Sequence, residues 1–392
     1  MFFFILTLSI LMPLCMRNKK KGLILSLFVL FILWGLQYKI VNDWDANLSR
    51  WLAVNGRFFL SRDIEYIYII ILKVCKPLSF YGFLMLSAYI ELKTIYIFTK
   101  RFVIPKFYWI TIFILMLRIN LGLLMINSNR QSLALLATML ASLFLIKNTT
   151  NKKQKLFNYL AAFISILIAV NIHKGAILSF LLLLFPALIY FINKLDKYTI
   201  LILFSIPFFA KFFLNLTEYI NLFSDFIQGS SFSEGFEQYS TEFNSNAGYS
   251  FFEQFFNYII IVSISLLFHH LNKAEKFFAF SFVFATIAQG YLTDTLLRTM
   301  QYFQIYTIFI IPNLVYYINY AFRVSNNKSY ITPLNYNIKL NTQKYIPFIK
   351  TIYCALILFC IFSLIRNIYF VDYDTWQGWK NFKTIFESPN WI

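Results

Sequence analysis

Asn127-Ser128-Asn129-Arg130-Gln131-Ser132-Leu133-Ala134 opens a run of apolar residues that continues to Ile146 and stops at Lys147. An apolar stretch of this length between polar ends reads as a helix crossing the ~30 Å hydrocarbon core of a bilayer. Lys147, with Lys152, Lys153 and Lys155 after it, marks the cytoplasmic end, because Lys and Arg collect in inner loops. The start of the run is then on the outer side, where cations are sparse, yet Arg130 stands there. Asn171-Ile172-His173-Lys174-Gly175-Ala176 repeats the situation, and Arg298 in Thr293-Asp294-Thr295-Leu296-Leu297-Arg298 is a third case. Cationic groups converging on one face of a membrane protein point to a phosphate-bearing, lipid-anchored ligand.

Working outward, the whole chain carries the same signature. It has 392 residues, 59% hydrophobic and 21% aromatic, with a mean hydropathy of +0.64, which excludes an ordinary soluble domain. The fold class expected is all-α: a polytopic integral membrane protein with about twelve transmembrane helices in a single domain, 1–392. The runs are continuously apolar and lack the alternation of barrel strands. The net charge of +18 does not indicate nucleic acid, since the basic residues fall in short loops at alternate span ends. Cys15, Cys75, Cys354 and Cys360 have no CxxC spacing and read as packing residues. Phe2 to Met16 is apolar but is followed by the basic cluster Arg17 to Lys21, the reverse of signal-peptide order.

The alternation of charge orders the spans. Spans one and two, Phe2–Met16 and Leu23–Ile40, flank that first basic cluster, which places the amino terminus outside. The first outer loop, 41–77, includes an interfacial helix over Ile64–Lys76, apolar but interrupted by Lys73 and Lys76. Span three, Leu78–Phe98, returns to Lys100, Arg101 and Lys106, and span four is Phe107–Ile126. Spans five, six and seven are Gln131–Ile146, Leu156–Ile172 and Gly175–Ile192, the last two meeting at His173. Span eight, Tyr198–Leu214, leads to the long outer loop 215–253, which has six acidic positions from Glu218 to Glu253 and no Lys or Arg. Spans nine to eleven follow as Phe255–His269, Phe277–Leu292 and Tyr302–Phe322. A basic cytoplasmic loop, 323–346, and span twelve, Pro347–Ile365, then lead to an outer tail, 366–392. No internal repeat is evident, which weighs against transporters built from duplicated halves.

Few residues in such a chain can carry chemistry. Arg118 lies about eleven residues into span four, ~16 Å from its inner end. It either snorkels to the outer interface or faces a wet cavity as an anion ligand. Arg130 begins a helix whose free N–H groups already favour an anion, and its guanidinium can grip phosphate oxygens as a fork. The alternative is a headgroup anchor. Gln131 adds a hydrogen bond. His173 is either an acid or base or a neutral cap at a corner. Asp43-Trp44-Asp45 resembles a carboxylate pair for a metal or a base, while Asp63 and Glu65 read as solvated. His269 and His270 read as interfacial on the cytoplasmic side. No P-loop, HExxH, GxSxG or zinc pattern occurs, and neither a cofactor nor a metal is expected.

Taken together these residues resemble the EpsG/Wzy group of bacterial polysaccharide polymerases. The matches are Asp43 in the first outer loop, Glu65-Tyr66 at the start of the interfacial helix, and Asn127 with Arg130-Gln131 and Ala134. His173 at its corner and Arg298 leading to Pro312 complete the set. Gln37 and Asn42 stand where the group has Arg and Gly. The resemblance implies polymerisation of undecaprenyl-diphosphate-linked oligosaccharide repeat units on the outer face of the bacterial cytoplasmic membrane. It implies diphosphate binding by Arg118, Arg130, Gln131 and Arg298, with Asp43 and His173 as catalytic groups. Expected partners are the polyprenyl-diphosphate-linked glycans, membrane lipid, a chain-length regulator and a flippase. A flippase of the same lipid-linked sugars is the alternative reading, and an acyltransferase or glycan ligase a third.

Overall fold

The computed structural model describes residues 2–36, 43–54, 65–117, 129–210, 251–288 and 299–326. Every regular element among them is helical. The α-helices are α1 (Phe2–Cys15), α2 (Lys19–Gly35), α3 (Asp43–Ala53), α4 (Tyr66–Cys75), α5 (Phe80–Phe102), α6 (Tyr108–Leu117) and α7 (Asn129–Ile146). They continue as α8 (Lys152–Ile172), α9 (Phe185–Ile192), α10 (Lys197–Ala210), α11 (Phe251–Leu267), α12 (Lys273–Ala288), α13 (Gln301–Gln304) and α14 (Thr307–Asn326). Four stretches are long and apolar enough to cross a membrane: Phe80–Phe102, Asn129–Ile146, Lys152–Ile172 and Lys174–Ile192. The protein is a membrane protein whose described residues are all-helical where regular, with several further apolar helices of shorter length. The expected span at 347–365, the tail at 366–392, and the acidic loop as far as residue 250 lie outside the described residues.

Two elements differ from the sequence reading. The first outer loop holds a second helix, α3, which the polar mix of 43–53 does not announce. Its Arg50 Nη1 donates to Asn47 Oδ1 at 3.2 Å, one turn back. The first part of the expected span seven, Lys174–Leu184, is a 3-10 helix that passes into α9. At ~2.0 Å per residue, those eleven residues reach about 22 Å where an α-helix would reach about 16 Å. The stretch to Ile192 thereby gains length enough to span.

The turns at the basic ends are built by capping side chains. Asn18 Oδ1 accepts from the Lys21 N–H at 3.1 Å, and Asn151 Oδ1 from the Lys153 N–H at 2.9 Å. Asp196 accepts from the N–H groups of Tyr198 and Thr199 at 2.9 and 3.1 Å, and from the Thr199 hydroxyl. These bonds, the hydroxyl's first and then the backbone's, hold the exposed Asp196 carboxyl below its ordinary range. Asn272 and Glu275 form a reciprocal capping box: Asn272 N–H to Glu275 Oε2 at 2.9 Å, Glu275 N–H to Asn272 Oδ1 at 3.0 Å.

The described residues of 1–184 and 307–316 form one compact unit. Small residues set its helix spacing, as expected where lipid supplies no hydrophobic drive for helices to associate. Gly22 lets α2 lie on α1, since a Cβ there would stand 2.6 Å from the Met12 carbonyl oxygen. On α7, Ser132, Ala134, Thr138, Ala141 and Ser142 are buried, and on α8 Ala162, Ser165 and Ala169 are buried. Two thirds of the α7 span is covered, against one third of α8, so α7 is the more central helix of the two. The outer face of α8, with Leu156, Leu160 and Ile164 exposed, is apolar and suited to lipid. Asn313, next to the intrahelical Pro312, donates to the Phe102 carbonyl at 2.7 Å and so satisfies the end of α5.

The described residues of 185–306 and 317–326 form the other unit. Its core is aromatic. Phe185 meets Phe277, Phe280, Phe284 and Phe303, and Phe278 stacks on Tyr306 at 5.3 Å. Tyr317 donates to Glu275 Oε2 at 2.9 Å, which ties the capping box to α14.

Candidate functional site

The amino-terminal turn of α7 is where the predicted residues meet. Asn129, Arg130 and Gln131 open the helix, with Asn129 and Gln131 buried and Arg130 half-buried. Arg130 Nη1 donates to Glu65 Oε2 at 2.8 Å, an ion pair whose carboxylate side chain is only 7% exposed. Glu65 is therefore not the solvated residue that its position before an interfacial helix suggests. It stands one residue ahead of α4 and makes no cap for that helix. Its carboxylate faces inward.

The second oxygen of Glu65 reaches a third element. Glu65 Oε1 accepts from the backbone N–H of Lys174 at 2.8 Å, at the start of the 3-10 segment. One carboxylate thus joins the start of α4, the first turn of α7 and the corner after α8. Lys174 itself has an exposed side chain.

His173 forms that corner. It ends α8 with an extended backbone, φ −153° and ψ 117°, while its N–H still donates to the Ala169 carbonyl at 2.9 Å. Its Nδ1 accepts from the Gly175 N–H at 3.1 Å. With Nδ1 engaged as an acceptor, the neutral ring carries its hydrogen on Nε2. The corner is also closed by the Ala176 N–H, which donates to the His173 carbonyl at 2.9 Å.

Further polar contacts join α7 to α5 and to the 3-10 segment. Ser132 Oγ lies 2.5 Å from Glu91 Oε1, midway along α5, and 3.0 Å from the Asn129 carbonyl. The first turn of α7 is therefore level with the middle of α5, about 16 Å along that helix from Phe80. Thr138 and Ser179 share a hydrogen bond at 3.3 Å between α7 and the 3-10 segment. Glu91 escapes a sequence reading centred on cations, although a lone acid in an apolar span is a signal in itself.

The first outer loop packs nearby in the same unit. Lys76 Nζ donates to the Trp51 carbonyl at 2.5 Å and sits 5.1 Å above the Trp51 ring. Trp51 in turn stacks on Phe83 at 5.3 Å. These contacts fasten the carboxyl-terminal end of α3, and Asp43 is at the opposite end, as its first residue. Arg118 and Arg298 lie outside the described residues, so Arg130 is the one predicted diphosphate cation placed here, joined through Glu65 to the backbone of the His173–Lys174 corner. Among the described residues no group of three or more His, Cys, Asp or Glu is disposed to hold a metal ion.

Comparison with known proteins adds one finding. No curated protein and no solved structure matches the chain. The EpsG family model matches residues 20–384, a stretch that includes Glu65, Glu91, Arg130 and His173, and the chain belongs to the EpsG family.

Proposed function

We propose that this protein is a polysaccharide polymerase that joins polyprenyl-diphosphate-linked repeat units on the outer face of the cytoplasmic membrane. Membership of the EpsG family associates it with exopolysaccharide biosynthesis. The observation that carries the finer reading is Glu65, whose two oxygens join Arg130 to the corner at His173 and Lys174. Three separate motifs thereby converge on one polar cluster at the end of apolar helices. A purely lipid-anchoring arginine needs no such carboxylate to orient it.

In this reaction the growing chain's anomeric carbon loses its bond to the diphosphate oxygen and gains one to a hydroxyl oxygen of the incoming unit. The hydroxyl proton passes to a base, and polyprenyl diphosphate leaves. Arg130 binds the departing diphosphate, in exchange with Glu65, with Gln131, Arg118 and Arg298 as further ligands. A fixed guanidinium and a helix amino terminus stabilise developing negative charge without reorganisation. Asp43 and His173 are the acid–base candidates, and of the two His173 stands beside Lys174, whose N–H Glu65 holds. Twelve spans with both ends outside give the topology this needs. It is supported by the basic residues that collect at alternate span ends.

The test is Arg130→Lys, which keeps the charge and loses the fork. Loss of one charge-assisted contact to the leaving group costs about 2–4 kcal/mol, or ~10²–10³ in rate. Cells with this variant at normal membrane abundance are expected to display single repeat units in place of long glycan ladders. A normal ladder removes Arg130 from the diphosphate site. Loss of all surface glycan, single units included, indicates a flippase.

A further inference from the structure

Glu91 is fully buried midway along α5, yet it makes no ion pair, and its Oε2 meets no partner among the described residues. A charged side chain at the centre of a span is costly, and those that persist face partners or cavities. Among the described residues its side chain makes one hydrogen bond, to Ser132 in the turn that carries Arg130. Ser132 has a single hydroxyl hydrogen and two oxygen neighbours, Glu91 Oε1 at 2.5 Å and the Asn129 carbonyl at 3.0 Å. The carbonyl cannot donate. For both contacts to be full hydrogen bonds, the second hydrogen must come from Glu91, as a carboxylic acid.

We infer that Glu91 is a positioning residue for the Arg130 site: a neutral carboxylic acid that clamps the first turn of α7 to the middle of α5 through Ser132. The clamp matters because the Glu65 carboxylate paired with Arg130 stands on a different element, at the start of the short helix α4, whereas Ser132 lies in the same turn as Arg130. With the Asn129 carbonyl and Ser132 fixed from α5, the backbone between them cannot swing, and Arg130 lies in that interval. When a diphosphate displaces Glu65 from the guanidinium, the Glu91 clamp is what keeps the turn in place. Ser132 and Asn129 are both buried, so water does not substitute for the carboxyl.

This inference rests on the diphosphate reading of Arg130, and the experiment separates the two. Purified protein in nanodiscs is titrated with a short-chain polyprenyl diphosphate, for wild type and for Glu91→Gln, Glu91→Leu, Ser132→Ala and Arg130→Ala. If wild type and Arg130→Ala bind the diphosphate equally, or neither binds it, the site reading itself fails. Given binding by wild type that Arg130→Ala weakens, Glu91→Gln is expected within about threefold of wild type, since its amide can donate to Ser132. Glu91→Leu and Ser132→Ala are each expected to weaken binding roughly tenfold, with no further loss when combined, as for two members of one contact. Added to Arg130→Ala, Glu91→Leu is expected to change nothing, because a positioning residue acts only through what it positions. Should Glu91→Leu fail to fold, Ser132→Ala carries the comparison. Wild-type affinity in Ser132→Ala, a Glu91→Gln loss as large as that of Glu91→Leu, or an additive loss on the Arg130→Ala background would each overturn the proposal.

Discussion

Glu65 has two jobs at once, and its substitutions separate them. Glu65→Gln keeps an oxygen for the Lys174 N–H but removes the charge beside Arg130. Arg130 is one-fifth exposed, so the cost is smaller than for a fully buried pair, about 1–3 kcal/mol. Thermal unfolding in detergent is expected to show a lowered midpoint. The charge swap Glu65→Arg with Arg130→Glu restores the sign of the pair but leaves Lys174 N–H facing a side chain with no acceptor. It is expected to remain as unstable as the worse single variant, and full recovery would mean that the bond to Lys174 contributes nothing. Arg130, Gln131 and His173 were legible in sequence because polar residues interrupt apolar runs there. Glu65 was legible as a motif position but read as solvated, because its partners lie 65 and 109 residues away and no local periodicity reports such distances. Glu91 did carry a local signal, an acid inside an apolar run.

At the scale of elements, helix contacts in the unit of 1–184 and 307–316 depend on small residues at close approaches. Gly22→Ala places a methyl group 2.6 Å from the Met12 carbonyl and 2.8 Å from the Pro13 Cα, both backbone positions that cannot rotate away. Overpacking of this kind costs about 1–3 kcal/mol. At Gly82 the nearest atom to an added methyl is the Leu78 Cβ at 3.2 Å, a side-chain contact. Gly22→Ala is therefore expected to lower the yield of monodisperse protein, with Gly82→Ala close to wild type. Equal behaviour of the two would contradict the packing of α1 on α2. The Asp196 cap adds a pH dependence. Its carboxyl is held below the ordinary value of 3.8, so its stabilising effect is complete above that value and is lost as pH falls through the lowered one. Asp196→Ala is expected to flatten that acid limb of the melting curve. Apart from α3, the helices among the described residues were readable from hydropathy. The 3-10 segment was not, because Lys174–Leu184 has the same apolar composition as the α-helices around it.

For the whole molecule, the proposed topology puts both ends and the acid-only loop 215–253 on the outer side, as the charge pattern of the sequence predicts. A cysteine at Ser231 is expected to react with an impermeant reagent from outside, and labelling only from the cytoplasmic side reverses every face assigned above. The central claim is that the protein transfers glycan with loss of polyprenyl diphosphate. Purified protein in vesicles, supplied with lipid-linked repeat units alone, tests it most directly. Glycan chains several units long are expected, with one polyprenyl diphosphate released for each new linkage and both products lost together in Arg130→Lys. Repeat units that cross the bilayer intact, with no chain growth and no released polyprenyl diphosphate, would contradict it.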